Sequence, residues 1–311
     1  MTLRIVSGTA NRSLATAVTD ALHTEQTSCD IVRFPDGELR PVVGRMRGDD
    51  VYVVQPTGPP VNEHLTELLL LLDACRRAGA RRITAVVPYF GYARQDRRSR
   101  PGEAVGARVA ADVLAAAGAQ RLVVVDPHTV ALEAMCAMPV EMLTAVPALA
   151  DALTTASPAQ AVVVAPDLGA VKLAERYAAT LRAPVVVVRK TRLSGTEVHA
   201  EELVGDIEDR QTIIVDDMIS TGATIAAAVR VLLAHGARPG IVVAATHGLL
   251  VGDASGCLQS LPLSRLVTTD TVPPPDLPVL PIELVSVAPL LADAIHRLHD
   301  NKPLDDLLFG P

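Results

Sequence analysis

The sequence predicts an α/β chain of two tandem three-layer α/β domains with mostly parallel sheets, and three observations carry that reading. Short runs such as Ile83–Val87, Leu122–Val125, Ala161–Val164 and Ile241–Ala245 are aliphatic with Thr84 the one exception, the pattern of parallel strands covered on both faces. They alternate with longer stretches of helical spacing, as in Val61–Ala78, where Leu65, Leu68, Leu69 and Leu72 share one face. The alternation runs to about residue 146 and then restarts, which divides the 311 residues into domains 1–146 and 147–311.

In chain order, Leu3–Val6 reads as a strand and Asn11–Leu22 as a helix. Ile31–Phe34 leads into Pro35-Asp36-Gly37-Glu38, whose residues favour a tight turn. Val51–Val54 is a strand, Gly58–Asn62 a turn and Val61–Ala78 a helix. Ile83–Val87 ends at Pro88-Tyr89-Phe90-Gly91, Val105–Ala117 is helical, and Leu122–Val125 runs to Asp126-Pro127-His128. In the second half Ala161–Val164 ends at Pro166-Asp167, ahead of a helix over Leu168–Ala179. Val185–Val188 precedes a polar, non-periodic stretch, Arg189–Glu202, expected to be a loop. Ile213–Val215, Ile241–Ala245 and Leu266–Thr268 are further strands, Asp270–Pro281 is a proline-rich connection, and Val287–His299 is a closing helix.

Composition narrows the function classes. Hydrophobic content is 49% with only 2% aromatic residues, so the cores must be aliphatic. Mean hydropathy is +0.31, yet the apolar runs fall short of the ~18–20 residues a spanning helix needs, so no membrane role is expected. Met1–Asn11 lacks a basic segment followed by a long apolar one, and Cys29, Cys75, Cys136 and Cys257 show no CxxC spacing. Both point to a cytoplasmic protein with reduced thiols. A net charge of −7 speaks against nucleic acid as a partner.

The chemistry concentrates in Thr212–His235. An apolar β-branched run ends in Asp216-Asp217, followed by Ser220-Thr221-Gly222-Ala223-Thr224 and then an amphipathic helix stopped by Gly236. A strand, a small-residue loop and a helix N-terminus together form an anion site, because backbone N–H groups and the helix dipole converge there. No lysine is present, and the paired carboxylates would repel a polyphosphate while accepting hydrogen bonds from sugar hydroxyls. The ligand this suggests is a sugar phosphate. Arg94, Arg97, Arg98 and Arg100, beside Gln95 and Asp96, form a basic cluster after a strand, suited to phosphate oxygens. His128 and Asp167 each follow an apolar strand and would suit a divalent cation, most simply Mg²⁺. Lys190 and Arg192 open the polar stretch expected to act as a lid. Phe34, Asp36 and Glu38 offer an aromatic face and acceptors to a purine ring.

These stretches, in this order, resemble the ribose-phosphate diphosphokinase (phosphoribosyl pyrophosphate synthetase) family. The matching runs include Gln55–Leu72 (QPTGPPVNEHLTELLLLL), Ile83–Arg98 (ITAVVPYFGYARQDRR), Ala165–Gly169 (APDLG) and Val215–Thr224 (VDDMISTGAT). The resemblance implies two domains of the type I phosphoribosyltransferase kind, an N-terminal one for ATP and a C-terminal one for ribose 5-phosphate. It further implies transfer of the β,γ-diphosphoryl group of ATP to the C1 hydroxyl of ribose 5-phosphate. By position, Asp216, Asp217, Ser220, Thr221, Gly222, Ala223 and Thr224 would bind ribose 5-phosphate. Phe34, Asp36, Gly37 and Glu38, with Arg94, Gln95, Asp96 and His128, would bind ATP. His128 and Asp167 would contact Mg²⁺, Lys190 and Arg192 would be catalytic, and a homo-oligomer (dimer or hexamer) is implied. Ser220 stands where the family more often has Asp, and Ala223 where it has Gly, so Ala223 demands a backbone angle that tolerates Cβ. Ser220 and Gly102-Glu103-Ala104 are closer to the archaeal-type branch. A phosphoribosyltransferase consuming the activated sugar, or a non-catalytic regulatory homologue, shares the Asp-Asp loop and stays open at this level.

Overall fold

The computed structural model describes residues 1–154, 161–192, 199–274 and 282–308, apart from the side chains of 190–192 and 199–201. Contacts divide the chain into two units. One comprises Met1–Thr144, Thr271–Pro273 and Ser286–Pro311; the other comprises Ala145–Asp270 and Pro274–Val285.

The first unit opens with β1 (Leu3–Ser7), α1 (Arg12–Ala21), β2 (Cys29–Arg33), β3 (Leu39–Val43), β4 (Asp50–Val54) and α2 (Val61–Arg77). It continues with β5 (Arg82–Val86), α3 (Gly106–Ala117), β6 (Arg121–Val125), α4 (Leu132–Met135) and β7 (Val140–Leu143). Among the described residues its main sheet has the order β1-β4-β5-β6-β7, every pair parallel. All five residues of β4 are buried, which requires cover on both faces of the sheet. Leu68, Leu71, Leu72 and Cys75 of α2 and Leu114 of α3 have no solvent exposure and fill one side of it. Each such leucine contributes roughly 1.5–3 kcal/mol by leaving water. Asn11 caps α1, its Oδ1 accepting from the Leu14 amide at 3.1 Å. β2 and β3 form a separate antiparallel ribbon whose turn carries Phe34–Glu38.

The second unit holds α5 (Val146–Thr154), β8 (Ala161–Ala165), α6 (Val171–Leu181), β9 (Val185–Arg192), β10 (His199–Val204) and β11 (Gln211–Ile219). Then come α7 (Ala223–Ala234), β12 (Ile241–Gly248), α8 (Ala254–Gln259), β13 (Leu263–Thr269) and β14 (Ile282–Val285). The sheet order among the described residues is β10-β9-β8-β11-β12-β13-β14, parallel except where β10 runs back along β9. All eight residues of β12 are buried, and Ile225, Val229 and Leu232 of α7 pack into the core with Leu258 of α8.

The closing helix, α9 (Ala288–His299), belongs to the first unit and packs against α1. Its anchor is the carboxylate of Asp50, which has no solvent exposure. Asp50 Oδ1 accepts from Arg82 Nε at 3.0 Å, Oδ2 accepts from the Tyr52 hydroxyl at 3.2 Å, and His299 Nδ1 lies 2.8 Å from Oδ2. A division at one point near residue 146 therefore does not describe the chain, because the last helix satisfies a buried charge at the start of β4. Two further differences concern the second unit. The stretch Arg189–Glu202, expected as a loop, lies mostly on β9 and β10, with Lys190 opposite Glu201 and Arg192 opposite His199. β11, expected to end at Val215, continues to Ile219 because β12 extends alongside it and supplies backbone partners. Of the connection Asp270–Pro281, residues 275–281 lie outside the described residues.

Candidate active site

In the second unit the paired acids lie inside a strand. Pairing of β11 with β8 stops at Ile214–Val164, while pairing with β12 continues through Asp216–Ala245 to Ile219–Gly248. Asp216 and Asp217 thus project past the carboxyl end of β8, where open α/β sheets bind ligands. The chain then turns through Ser220 and Thr221 to Gly222, at φ +79 and ψ −4, and enters α7. The left-handed turn falls on Gly222, so Ala223 is simply the first helical residue and its Cβ costs nothing. Ala223 thus has the Cβ-tolerant backbone angle that its standing in for glycine demands. No side chain caps α7, which leaves its first amides pointing into the loop. Below the loop the floor is Leu258, whose Cδ2 would lie 3.1 Å from a Cβ added to Gly222.

Burial pushes the Asp216 carboxyl well above the usual carboxylate range, and the neighbouring charges of Asp217 and Asp167 push it the same way. The Asp217 amide, donating to Asp216 Oδ1 at 2.9 Å, opposes this. Three carboxylates within electrostatic reach of each other make an acceptor-rich patch, suited to vicinal hydroxyls. Asp167, exposed after β8, accepts from the amides of Gly169 at 2.8 Å and Ala170 at 3.2 Å ahead of α6. One of its oxygens therefore shapes the turn. Lys190 and Arg192 sit on the last residues of β9, and their side chains lie outside the described ones.

In the first unit, Phe34–Glu38 forms the hairpin turn between β2 and β3. The Phe34 amide donates to Glu38 O at 2.8 Å, Gly37 adopts φ +95, and the Glu38 amide donates to Asp36 Oδ1 at 3.1 Å. The Arg40 guanidinium lies 5.2 Å from the Phe34 ring centroid, so the ring is half-buried against its own ribbon with one face stacked. Arg94 and Gln95 are exposed and Asp96 is partly buried, its carboxylate 3.7 Å from the Arg97 guanidinium. His128 is exposed two residues beyond Asp126, which turns the chain off β6 at φ +36. The segment leading to Arg94 is set by residues that sequence reasoning did not single out individually: Thr57, Asn62, Gly91 and Tyr92. Their signal was an aromatic-glycine-aromatic run directly after a strand; the loop that holds it comes from 30 residues earlier in the chain.

Among the described residues no group of three or more His, Cys, Asp or Glu side chains could hold a metal ion. Mg²⁺ takes one or two protein ligands, commonly carboxylates, and completes its shell with water and substrate phosphates, so it does not require such a group.

A parallel strand that carries paired acids into a lysine-free loop, a left-handed glycine and an uncapped helix defines an α/β protein with an anion cradle at the carboxyl end of a mostly parallel sheet. Comparisons give the particular family. Residues 3–118 match the model of the N-terminal domain of ribose phosphate pyrophosphokinase, and residues 196–309 match the phosphoribosyl synthetase-associated domain. The ribose-phosphate pyrophosphokinase of Rhodopirellula baltica is 39% identical over 98% of both chains, and that of Aquifex aeolicus is 37% identical over 98% of both. The crystal structure of phosphoribosylpyrophosphate synthetase from Mycobacterium smegmatis superimposes with a TM-score of 0.91 at 35% identity, covering 97% of this chain and 100% of that one. The chain belongs to the ribose-phosphate pyrophosphokinase family.

Proposed function

We propose that the protein transfers the β,γ-diphosphoryl group of ATP to the C1 hydroxyl of ribose 5-phosphate, yielding phosphoribosyl pyrophosphate and AMP. The observation that carries this is the cradle of the second unit: Asp216 and Asp217 at a strand end, Gly222 left-handed and α7 uncapped. Its α7 amides and the hydroxyls of Ser220, Thr221 and Thr224 donate to the 5-phosphate, while the two carboxylates accept from ribose hydroxyls. The names of the full-length relatives support the same activity.

On the nucleotide side, Arg94, Gln95 and Asp96 take the triphosphate, and Phe34, Asp36, Gly37 and Glu38, supplied by a neighbouring subunit of a homo-oligomer, take the adenine. That assignment asks Arg40 to share or yield the face of Phe34 it now covers. The first unit, which includes α9, thus serves ATP, and the second serves ribose 5-phosphate. His128 of the first unit and Asp167 of the second would each offer a donor to Mg²⁺, which when bound would neutralise triphosphate charge. Phosphoryl transfer needs reactants held in line and charge offset more than covalent help from the protein. Lys190, Arg192 and Arg94 provide the offset, the first two from the β9–β10 hairpin. Among the described residues no helix is long and apolar enough to cross a membrane, and the place of action we assign is the cytoplasm.

The test is incubation of the purified protein with ribose 5-phosphate and Mg-ATP. AMP and phosphoribosyl pyrophosphate should appear in equal amounts. Formation of ADP instead, or of neither product, would remove the proposal. A phosphoribosyltransferase or a regulatory homologue would give no AMP.

A further inference from the structure

We infer that Thr57 is a positioning residue for nucleotide recognition: its hydroxyl sets the path of the arm Tyr89–Asp96, and so controls ATP affinity through Arg94–Asp96. This rests on the reading of Arg94–Asp96 as the triphosphate contact.

Thr57 lies in the loop between β4 and α2 and is 2% exposed. Its amide donates to Tyr89 O at 2.9 Å, its hydroxyl donates to the same carbonyl at 3.2 Å, and its Oγ1 accepts from the Gly91 amide at 2.7 Å. A hydroxyl carries one proton and two lone pairs, so both roles are met at once. The backbone of Gly91 lies directly against this loop. A Cβ there would come within 2.6 Å of Thr57 O and 2.8 Å of Val61 Cγ1. One residue on, Tyr92 adopts φ +67, a left-handed conformation that side-chain-bearing residues avoid. Such a conformation persists only where the surroundings over-determine it. The Tyr92 hydroxyl is held by Asn62 Oδ1, one residue into α2. Beyond it, the Gln95 amide donates to Tyr92 O at 2.8 Å and Gln95 O accepts from the Ala107 amide at 3.2 Å.

The arm is therefore bracketed on one side by Thr57 and Asn62 and on the other by the start of α3, with Phe90 and Ala93 buried between. Arg94 and Gln95 are the exposed residues presented within that bracket. Loss of the Thr57 hydroxyl leaves the Gly91 amide buried without its acceptor. The least costly relief is for Gly91 to move and Tyr92 to relax toward an ordinary backbone angle, which swings Arg94 away. Every residue named in this chain of contacts lies within the first unit.

The experiment compares Thr57→Val, which keeps shape and loses the hydroxyl, with Thr57→Ser, which keeps the hydroxyl. Initial rates of AMP formation are measured with each substrate varied in turn. Thr57→Val should raise KM for Mg-ATP about tenfold and leave KM for ribose 5-phosphate within about twofold. Thr57→Ser should stay within about twofold of wild type for both. Equal movement of both KM values, or a serine variant as impaired as the valine one, would mean that Thr57 is a packing residue only. If Thr57→Val does not fold, Asn62→Ala carries the same test from an exposed position. It should raise KM for Mg-ATP severalfold and spare ribose 5-phosphate, and an unchanged KM for Mg-ATP overturns the inference. A wild-type protein that forms no AMP overturns the functional reading itself, whereas an active wild type with an unaltered Thr57→Val overturns only this one.

Discussion

Exchanging the residues at two neighbouring positions, Gly222→Ala and Ala223→Gly, should have opposite consequences although the chemical change is a single methyl in each. At Gly222 the backbone has φ +79, where an L-residue costs about 1–2 kcal/mol. The added Cβ would also lie 3.1 Å from Leu258 Cγ and Cδ2, in a packed core where overfilling costs about 1–3 kcal/mol. The sum, about 2–5 kcal/mol, corresponds to a fall in Tm of about 4–20 °C for a unit of this size. Part of that strain is relieved by tilting the start of α7, which carries the uncapped amides proposed to bind the 5-phosphate. KM for ribose 5-phosphate should rise about tenfold while KM for Mg-ATP holds. Ala223 is the first residue of α7, in helical conformation. Its replacement by glycine should cost at most about 1 kcal/mol of backbone entropy and leave both KM values within about twofold. Thermal unfolding and initial-rate kinetics measure both effects. A Gly222→Ala protein with wild-type Tm and KM, or an Ala223→Gly protein more damaged than it, would refute the placement of the left-handed turn.

Other outcomes follow from the same sites. The Asp216 carboxyl is raised above its unfolded value, so its unfolded form ionises first and stability is lost as pH rises from the ordinary carboxylate range through the folded pKa. Asp216→Asn should therefore raise Tm at neutral pH while weakening ribose 5-phosphate binding at least tenfold. Wild-type affinity should fall as acidification protonates Asp216, and the variant's should vary less; identical pH profiles by calorimetry would count against a carboxylate–hydroxyl contact. Lys190→Ala should lower kcat by two orders of magnitude or more with substrate KM values within about threefold, and an unchanged kcat would remove the hairpin lysine from the reaction. Arg82→Met breaks a bidentate pair with Asp50, whose side chain is 1% exposed. It should cost about 3 kcal/mol in urea unfolding, and a loss below about 1 kcal/mol would show that Tyr52 and His299 suffice.

Much of the candidate site was legible because it is local. The run Val215–Thr224 contains the acids, the glycine and the helix start within ten residues, and each speaks through its own steric or hydrogen-bonding preference. The same holds for Phe34–Glu38, where proline, aspartate and glycine specify a turn whatever surrounds it. The extension of β11 past its apolar run was not legible, because Asp216 and Asp217 are poor strand formers. They are held extended by β12, a partner about 30 residues away. The pairing of β9 with β10 escaped for a related reason: a charged, non-periodic stretch announces a loop unless an antiparallel neighbour gives its backbone a ladder.

The amino-acid order alone determined the alternation of strands and helices, the motifs at Phe34–Glu38 and Val215–Thr224 and the family to which they belong. Each of these is a property of short segments with a fixed period or steric demand. Tertiary structure alone decided that α9 returns to the first unit to satisfy Asp50, 249 residues from His299. It also decided that Thr57 and Asn62 steady the arm ahead of Arg94. Those choices are made among many amphipathic faces and buried polar groups of similar local character. Only the requirement that every buried charge and amide find a partner separates them.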